Sequence, residues 1–506
     1  MSVVRQRVFR NAYRDSVELM RIASEIEHLP GIARAGLVMA TPANLAILAE
    51  AGLAEGLDPG AGPNDMVVAL LADEGSAADA GLERAATLMK AAEAEGPGDG
   101  ARFIPTTLNE AMTELPDANL ALISTPGTYA TAEALKALKL GMHVFLFSDN
   151  VSVEDEVELK EVGRRAGRLV MGPDCGTAII DGISLGFANA VRRGSIGLIG
   201  ASGTGLQQVT CLIDAFGGGV SQAIGVGGRD LHEEIGGVMM LSALAWLAND
   251  PGTAVIVLIS KPPAASVMTA VLDAAAATGK PVVVNFLGGD AERINATGGH
   301  PASTFEDAAR LSVHLSGARE IVAAEEPDPE PIAARVAATL REGQDRIVGL
   351  FSGGSLAGEA KLVLEGMLGG AAGEQQIIDL GDDEYTVGRP HPMIDPRLRS
   401  EKIVEVGHDP TAGILLLDIV LGRGSHPDPA GALIPAITAA REAAQRDGRS
   451  LAVVASVCGT PGDPQGLERQ RSVLNGAGAL VAGSNARAAR LAGLIALQAS
   501  RRQVGA

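Results

Sequence analysis

Apolar residues fall along this chain in two rhythms. Short apolar runs at 66–71, 120–123, 143–147, 169–171, 196–199, 222–226, 254–260 and 282–286 read as buried strands, and most stretches between them repeat apolar residues at helical spacing. Leu206, Val209, Leu212, Ile213 and Phe216 form one such stripe, and helices are likewise expected at 77–95 and 129–140. Strand and helix in alternation predict an α/β protein with parallel sheets and right-handed crossovers. Residues 1–60 are less regular. There, Tyr13-Arg-Asp-Ser-Val caps a helix running through Leu19, Ile22 and Ile26, and Gly36-Leu-Val-Met-Ala reads as a strand ending at Thr41-Pro42.

The pattern then repeats. Gly349-Leu-Phe-Ser-Gly-Gly-Ser-Leu356 echoes Gly197-Leu-Ile-Gly-Ala-Ser-Gly-Thr-Gly205, and Leu356, Ala360, Val363, Leu364 and Met367 supply its helical stripe. Gly448-Arg-Ser-Leu-Ala-Val-Val echoes Gly279-Lys-Pro-Val-Val-Val, and Arg487-Ala-Ala-Arg-Leu491 echoes Asp307-Ala-Ala-Arg-Leu311. Three echoes in one order, at growing separation, imply a duplicated domain that gained loops in its second copy. The loop Gly96-Pro-Gly-Asp-Gly and the stretch Glu325-Glu-Pro-Asp-Pro-Glu-Pro331 punctuate the chain, the latter as a linker or exposed turn. The expected organisation is an N-terminal segment at 1–60, a Rossmann-like domain at 61–165, a first copy at 166–324, a linker and connecting helix at 325–345, and a second copy at 346–506.

Composition narrows the function. The chain has 506 residues, 46% of them hydrophobic and only 3% aromatic, which suits small-residue helix-on-sheet packing. A formal net charge of −20 argues against nucleic acid or an anionic membrane as a partner of the overall field. Cys175, Cys211 and Cys458 lie far apart, without metal or disulfide spacing, so no metal is expected and a reducing cytoplasm is the expected home. No apolar run reaches the length of a membrane span, and the first residues have no apolar leader.

The chemistry is concentrated in the glycine turns. Gly200 to Gly205 joins a strand to a helix, and the backbone N–H groups at such a helix start favour an anion by about 0.3 to 2 kcal/mol. Gly200 and Gly205 match the spacing of a Walker A loop, but Leu206 and Gln207 stand where Lys and Ser/Thr belong, which excludes an ordinary nucleotide P-loop. A tight turn that binds nothing is the alternative. If the two copies face each other, Ser202, Gly203, Thr204 and Gly205 hold an anion from one side and Ser352, Gly353, Gly354 and Ser355 from the other.

Other candidates lie at strand ends, where open α/β sheets bind ligands. Ser124, Thr125 and Gly127 follow one strand, and Ser148 and Asn150 the next; capping is the alternative role. Arg229 and Asp230 follow Gly225-Val-Gly-Gly, where Arg229 could hold a substrate carboxylate or simply form an ion pair. His426 could protonate a leaving nitrogen with Asp428 to orient it, or both could cap a turn. His391, Asp395, Arg397 and Arg399 make a polar cluster in a Pro-rich loop, and Cys458 reads as a small buried thiol.

Ser124-Thr-Pro-Gly-Thr, Gly172-Pro-Asp-Cys-Gly176, Gly197 to Gly205 and Gly225-Val-Gly-Gly-Arg-Asp230 resemble the α-subunit of succinyl-CoA synthetase in order and spacing. The second copy resembles the CoA-ligase domain of the β-subunit. With Gly388-Arg-Pro-His-Pro-Met-Ile-Asp-Pro-Arg397, Leu417-Asp-Ile-Val-Leu-Gly-Arg-Gly-Ser-His-Pro-Asp-Pro429 and Cys458-Gly-Thr-Pro-Gly-Asp-Pro-Gln465, nearly the whole chain is similar to the FdrA family of acyl-CoA-synthetase-like proteins.

The resemblance implies a CoA-binding-type Rossmann-like domain followed by two flavodoxin-like CoA-ligase domains. It also implies a phosphoryl group passed through a histidine backed by a glutamate. His300 sits about where that histidine is expected, but Lys261 stands in place of the acid, and neither an ATP-grasp segment nor the N-terminal CoA glycine loop is found. A phosphate cradle without its relay points to acyl transfer involving phosphate. The implied reaction is the carbamoyl transfer of purine and allantoin breakdown, oxalurate and phosphate giving oxamate and carbamoyl phosphate. An ADP-forming acyl-CoA synthetase and a non-catalytic regulatory or scaffold subunit are the alternatives. The expected partners are a small anionic acyl substrate, phosphate as co-substrate, CoA as a further candidate, further copies of the chain and other pathway subunits.

Overall fold

The computed structural model describes the chain apart from residues 1–2, 11, 13–15, 42–43, 46–47, 50, 95–104, 320–326, 371–374, 387–389 and 505–506. It divides into two compact units, Met1–Thr106 with Tyr385–Pro390, and Thr107–Glu384 with His391–Ala506.

In the first unit, β1 (Val3–Phe9), α1 (Ser16–Glu27), β2 (Ile32–Met39), β3 (Met66–Ala72) and α2 (Gly75–Ala94) build a three-stranded sheet of order β1-β3-β2 with both pairings antiparallel. Leu19, Ile22 and Ile26 of α1 and Ala78, Leu82 and Ala85 of α2 bury their stripe on one face of it. Leu48 and Leu53 cover the other. The expected boundary at 60/61 is therefore displaced. The 66–72 run is the central strand between β1 and β2, because its Val and Leu residues are buried on both faces. The capping residues 13–15 and the loop at 96–100 lie outside the described residues.

The second unit opens with α3 (Leu108–Glu114) and a parallel sheet of β4 (Leu120–Ile123), β5 (His143–Leu146) and β6 (Val170–Met171), with α4 (Gly127–Lys139) and α5 (Val153–Ala166) between. β6 was expected to open the first copy; its partner is β5. A hairpin of β7 (Thr177–Ile180) and β8 (Ile183–Gly186), which the periodicity does not mark, comes next.

The duplication is visible in the topology. The first copy holds β9 (Arg193–Gly200), α6 (Gly203–Ala215), β10 (Val220–Gly225), α7 (Val238–Asn249), β11 (Val255–Ser260), α8 (Ala265–Ala276), β12 (Val282–Phe286), α9 (Ala291–Ala296), β13 (His300–Pro301) and α10 (Phe305–Leu315). After α11 (Pro329–Ala337), the second copy holds β14 (Arg346–Phe351), α12 (Gly354–Leu368), β15 (Gln376–Asp379), α13 (Arg397–His408), β16 (Ala412–Val420), α14 (Pro429–Arg446), β17 (Ala452–Cys458), α15 (Leu467–Gly476), β18 (Leu480–Ala482) and α16 (Asn485–Val504). The strand orders are β13-β12-β11-β9-β10, extended by the β7–β8 hairpin, and β18-β17-β16-β14-β15, so the copies share one parallel topology. Residues 329–331, read as linker, instead begin α11: Asp328 caps it, and proline in a first turn lacks only an N–H that has no helical acceptor.

A single alanine-rich core joins the copies, with Val209 and Ile213 of α6, Ala308 and Ala309 of α10, Leu356 and Ala360 of α12, and Ala488, Ala489 and Ala492 of α16 all buried in it. Within this core lies Glu359, whose carboxylate accepts from Phe305 N at 2.6 Å and Asn485 Nδ2 at 2.8 Å. Burial pushes its carboxyl up to about 7 from 4.5, partly offset by these two donors.

Between pH 4.5 and 7 the folded state therefore keeps a proton that the unfolded chain has lost. Stability falls as pH rises through that window and levels off above it, by on the order of 3 kcal/mol for a shift of this size. Glu359→Gln should flatten the slope, because Asn485 can turn its unpartnered Oδ1 to the new amide. Denaturant midpoints measured across this pH range check it: an unchanged slope in the variant contradicts the assignment.

Candidate functional site

The site begins where β9 turns into α6. A Cβ on Gly200 would lie 2.6 Å from Leu206 Cγ, so only glycine lets the first helical turn fold back onto its strand. Ser202 is the extended N-cap: its Oγ accepts from Gly205 N at 3.0 Å and donates to Ser355 Oγ, in the first turn of α12, at 2.5 Å. A Cβ on Gly353 would lie 2.8 Å from Thr204 Cγ2. The two glycine turns thus meet as the duplication implied, but they touch. The expected arrangement, an anion between Ser202–Gly205 and Ser352–Ser355, is closed by direct contact.

Open space lies beside the first turn. A narrow cleft, with room for about one water, is lined by Asp174, Cys175, Thr177, Ser202, Gly203 and the glycines of the 225–228 turn. Gly203 and Thr204 present the first N–H groups of α6 with no acceptor bonded to either among the described residues. Thr177 Oγ1 is buried without a partner, 3.5 Å from where a Cβ on Gly203 would stand. Burial pushes the Cys175 thiol up to about 12, so it stays protonated. Two N–H groups and a hydroxyl beside a glycine wall can hold one oxyanion.

The second turn already holds an anion. Asp418 Oδ1 accepts from Ser352 N at 2.9 Å, and its Oδ2 accepts from Gly353 N at 2.9 Å and Ser352 Oγ at 3.1 Å. Arg399 Nη2 donates to Asp418 Oδ1 at 2.7 Å, and both side chains are buried. Desolvation holds the Arg399 guanidinium below its ordinary value, with Asp418 acting against this. Asp379 adds a second carboxylate, 2.2 Å from the position of a Cβ on Gly354; burial raises it, Lys261 lowers it and Asp418 raises it further.

The expected catalytic side chains are largely spent on structure. Asp230 is fully buried; it accepts from Lys160 Nζ at 2.8 Å and from Met239 N and Met240 N, satisfying the start of α7. Lys160, also fully buried, bonds Glu156 and the Val226 carbonyl, tying α5 to the 225–228 turn. Arg229 pairs with Glu156 Oε2 at 2.8 Å and donates to the Val151 carbonyl, so it does not stand ready for a substrate carboxylate.

His426 Nδ1 accepts from Asp428 N at 3.0 Å, which puts the proton of the neutral ring on Nε2. The Asp428 carboxylate goes to Gln470 and Arg469, so it does not orient the imidazole. Burial lowers His391 to about 4, and its Nδ1 accepts from Met393 N. Asp395 and Arg397 form an ion pair on the surface.

His300 lies on β13, separated from β9 by β12 and β11, about 14 Å across the sheet. Ser124, Thr125 and Gly127 stand at the end of β4, and Ser148 and Asn150 beyond β5. A Cβ on Gly127 would lie 2.3 Å from the Asp149 carbonyl, and Thr125 Oγ1 and Ser148 Oγ are buried without partners. The motifs at 422–426 and 458–465 form a clasp on the first copy: Asn189 bonds the Leu421 carbonyl and Asp463, Thr460 Oγ1 bonds the Ala190 carbonyl, and Gln465 bonds Gly422. Cys458 is buried 4.0 Å from Cys211.

Thr177, Lys160 and Asp418 were missed by sequence reasoning. Asp418 had a signal: it is the one charged residue in the otherwise apolar strand β16, and a buried charge needs a partner. Thr177 had none, since it opens a run of only three apolar residues, Ala178 to Ile180, too short for the periodicity to mark.

Family models match at three places: "AllF, heavy metal-associated domain" over 1–103, "CoA binding domain" over 191–288 and "CoA-ligase" over 350–495. The Escherichia coli (strain K12) protein YahF is 41% identical over 95% of this chain and 96% of its own length. The chain belongs to the FdrA-like family. The α-subunit of the ADP-forming succinate–CoA ligase of Methanothermobacter thermautotrophicus is 29% identical over 30% of this FdrA-like chain and 52% of its own length, so only about half of that subunit is matched. Among solved structures, the apo dinucleotide-forming acetyl-coenzyme A synthetase 1 of Ca. Korarchaeum cryptofilum aligns over 81% of this chain and 88% of its own, at 17% identity and a TM-score of 0.36.

The family matches bear on two further points about the FdrA-like chain. The CoA-binding match falls at 191–288, in the first copy, whereas a CoA-binding-type domain was expected at 61–165. The N-terminal match names heavy metals, yet residues 1–103 contain no cysteine and one histidine, His28, a donor set that does not fit a soft metal ion. Among the described residues no helix is long and apolar enough to cross a membrane.

Removing the N-cap hydroxyl tests how tightly the two turns are joined. Ser202→Ala loses both the Gly205 and Ser355 bonds and should destabilise by about 1 to 2 kcal/mol, whereas Ser355→Ala loses the inter-copy bond and should cost about 1 kcal/mol or less. Chemical denaturation compares them: equal losses would mean that the cap contributes nothing.

Proposed function

We propose that this FdrA-like protein is a subunit of an acyl-transfer enzyme that carries phosphate-dependent carbamoyl transfer, oxalurate and phosphate giving oxamate and carbamoyl phosphate. The observation that carries the reading is the bare N–H pair of Gly203 and Thr204 with the unpartnered Thr177 hydroxyl at a glycine-walled cleft. A phosphate oxygen attacks the carbamoyl carbon, the carbon–nitrogen bond breaks, and the departing nitrogen takes a proton. Phosphate is itself the nucleophile, so the protein supplies position and donors more than a strong base. His426, with its proton on Nε2, is the candidate donor. Ser124, Thr125, Gly127, Ser148 and Asn150 are the candidate contacts for an acyl or CoA group, with the buried Thr125 and Ser148 hydroxyls free to take one. The AllF-type match supports this reading over general CoA ligation.

An ADP-forming acyl-CoA synthetase is the second reading, favoured by the CoA-ligase match. It needs a phosphohistidine, and the distance of His300 from the α6 turn weighs against it.

The chain, assembled with its partner subunits, should form carbamoyl phosphate from oxalurate and phosphate without ATP or CoA, and Thr177→Val should lower the rate about tenfold or more. An absolute requirement for ATP and CoA, with acid-labile phosphate on His300, would establish the second reading instead.

A further inference from the structure

The two helix starts that meet at the centre of the duplicated domains are not equivalent, and the difference sits in one strand position. Counting from the pairing of Ile199 with Leu258 and of Leu350 with Leu417, the residue facing the turn is Ile259 in the first copy and Asp418 in the second. Ile259 packs its side chain under Gly205 and offers the turn only its carbonyl, which takes Ala201 N, so the Gly203 and Thr204 N–H groups keep no bonded acceptor among the described residues. Asp418 takes Ser352 N, Ser352 Oγ and Gly353 N, and Arg399 behind it balances the charge while holding the Leu350 and Asp418 carbonyls. Asp379 presses a second carboxylate against Gly354.

We propose that Asp418 is the specificity-determining residue of the paired turns: its carboxylate is a built-in anion that closes the second copy to phosphate, so each chain binds a single phosphate, at the Gly203–Thr204 side. A phosphate approaching α12 would meet two carboxylates, one of them already holding the Ser352 and Gly353 N–H groups of the preceding turn, whereas at α6 it meets the Gly203 and Thr204 N–H groups and the Thr177 hydroxyl, with Asp174 the one carboxylate in the cleft lining. The closed Ser202–Ser355 contact then acts as a wall, and the phosphoryl group has no second seat to be passed to. This rests on the reading of the α6 turn as the phosphate site.

The test is equilibrium dialysis of the full chain with radiolabelled phosphate, on wild type, Asp418→Ala and Thr177→Val. Asp418→Ala removes the internal anion and leaves the Arg399 charge without its counter-ion. We expect one phosphate per wild-type chain, a second in Asp418→Ala, and affinity about tenfold weaker in Thr177→Val. Two phosphates on wild type, or one whose affinity Thr177→Val leaves unchanged, overturns the inference and leaves the acyl-transfer reading standing. No phosphate on wild type but one on Asp418→Ala overturns the single seat at α6 and also removes the phosphate step from that reading. None on either overturns the inference. Should Asp418→Ala fail to fold, the wild-type stoichiometry and the Thr177→Val affinity decide between one seat and two.

Discussion

Helix starts buried away from water must find acceptors for backbone N–H groups that no helical carbonyl reaches. In this protein two such starts, α6 and α12, are brought to one point by a duplicated sheet, and most of the surrounding chemistry answers that demand. Ser202 caps one, Asp418 answers the turn before the other, and the two helices are pinned by a hydroxyl pair. Of the N–H groups left without a bonded acceptor among the described residues, those of Gly203 and Thr204 lie beside Thr177 and the cleft, where a ligand has something to gain.

The same constraint organises the periphery. Asp230 satisfies the start of α7 and is in turn balanced by the fully buried Lys160, which also bonds the carbonyl of the glycine turn lining the cleft. A carboxylate that looked catalytic is therefore a structural counter-ion, and α5 is locked to the wall of the site through it. The second copy reaches across in a similar way. Its 421–426 and 458–465 segments take the polar groups of Asn189 and Ala190, so motifs that stand out in the sequence mark the junction of the copies.

Much of the fold was legible. Apolar rhythm marked β9 to β12 of the first copy, and the echo of Gly197–Gly205 at 349–356 anticipated two sheets of one order. The first unit was harder to read because its β1-β3-β2 sheet is antiparallel and departs from the parallel strand-helix alternation of the rest, so β3 looked like the start of the next domain. The hairpin β7–β8 was hidden because it has only four residues to a strand, and the start of the connecting helix expected within 325–345 was hidden because α11 begins with prolines usually taken as helix breakers.

The sequence by itself determined the alternating architecture, the duplication and the glycine turn with its serine cap, because each is written in local spacing that backbone geometry and side-chain size enforce. Only the tertiary structure decided what each helix start holds. Asp418 and Ile259 occupy matching positions in matching strands, Arg399 comes from a helix packed behind, and Thr177 from a hairpin ahead of the repeat. Pairing among groups so distant along the chain is set by how the sheets stack and which charges are shut away from water, and neither is a property of any one segment.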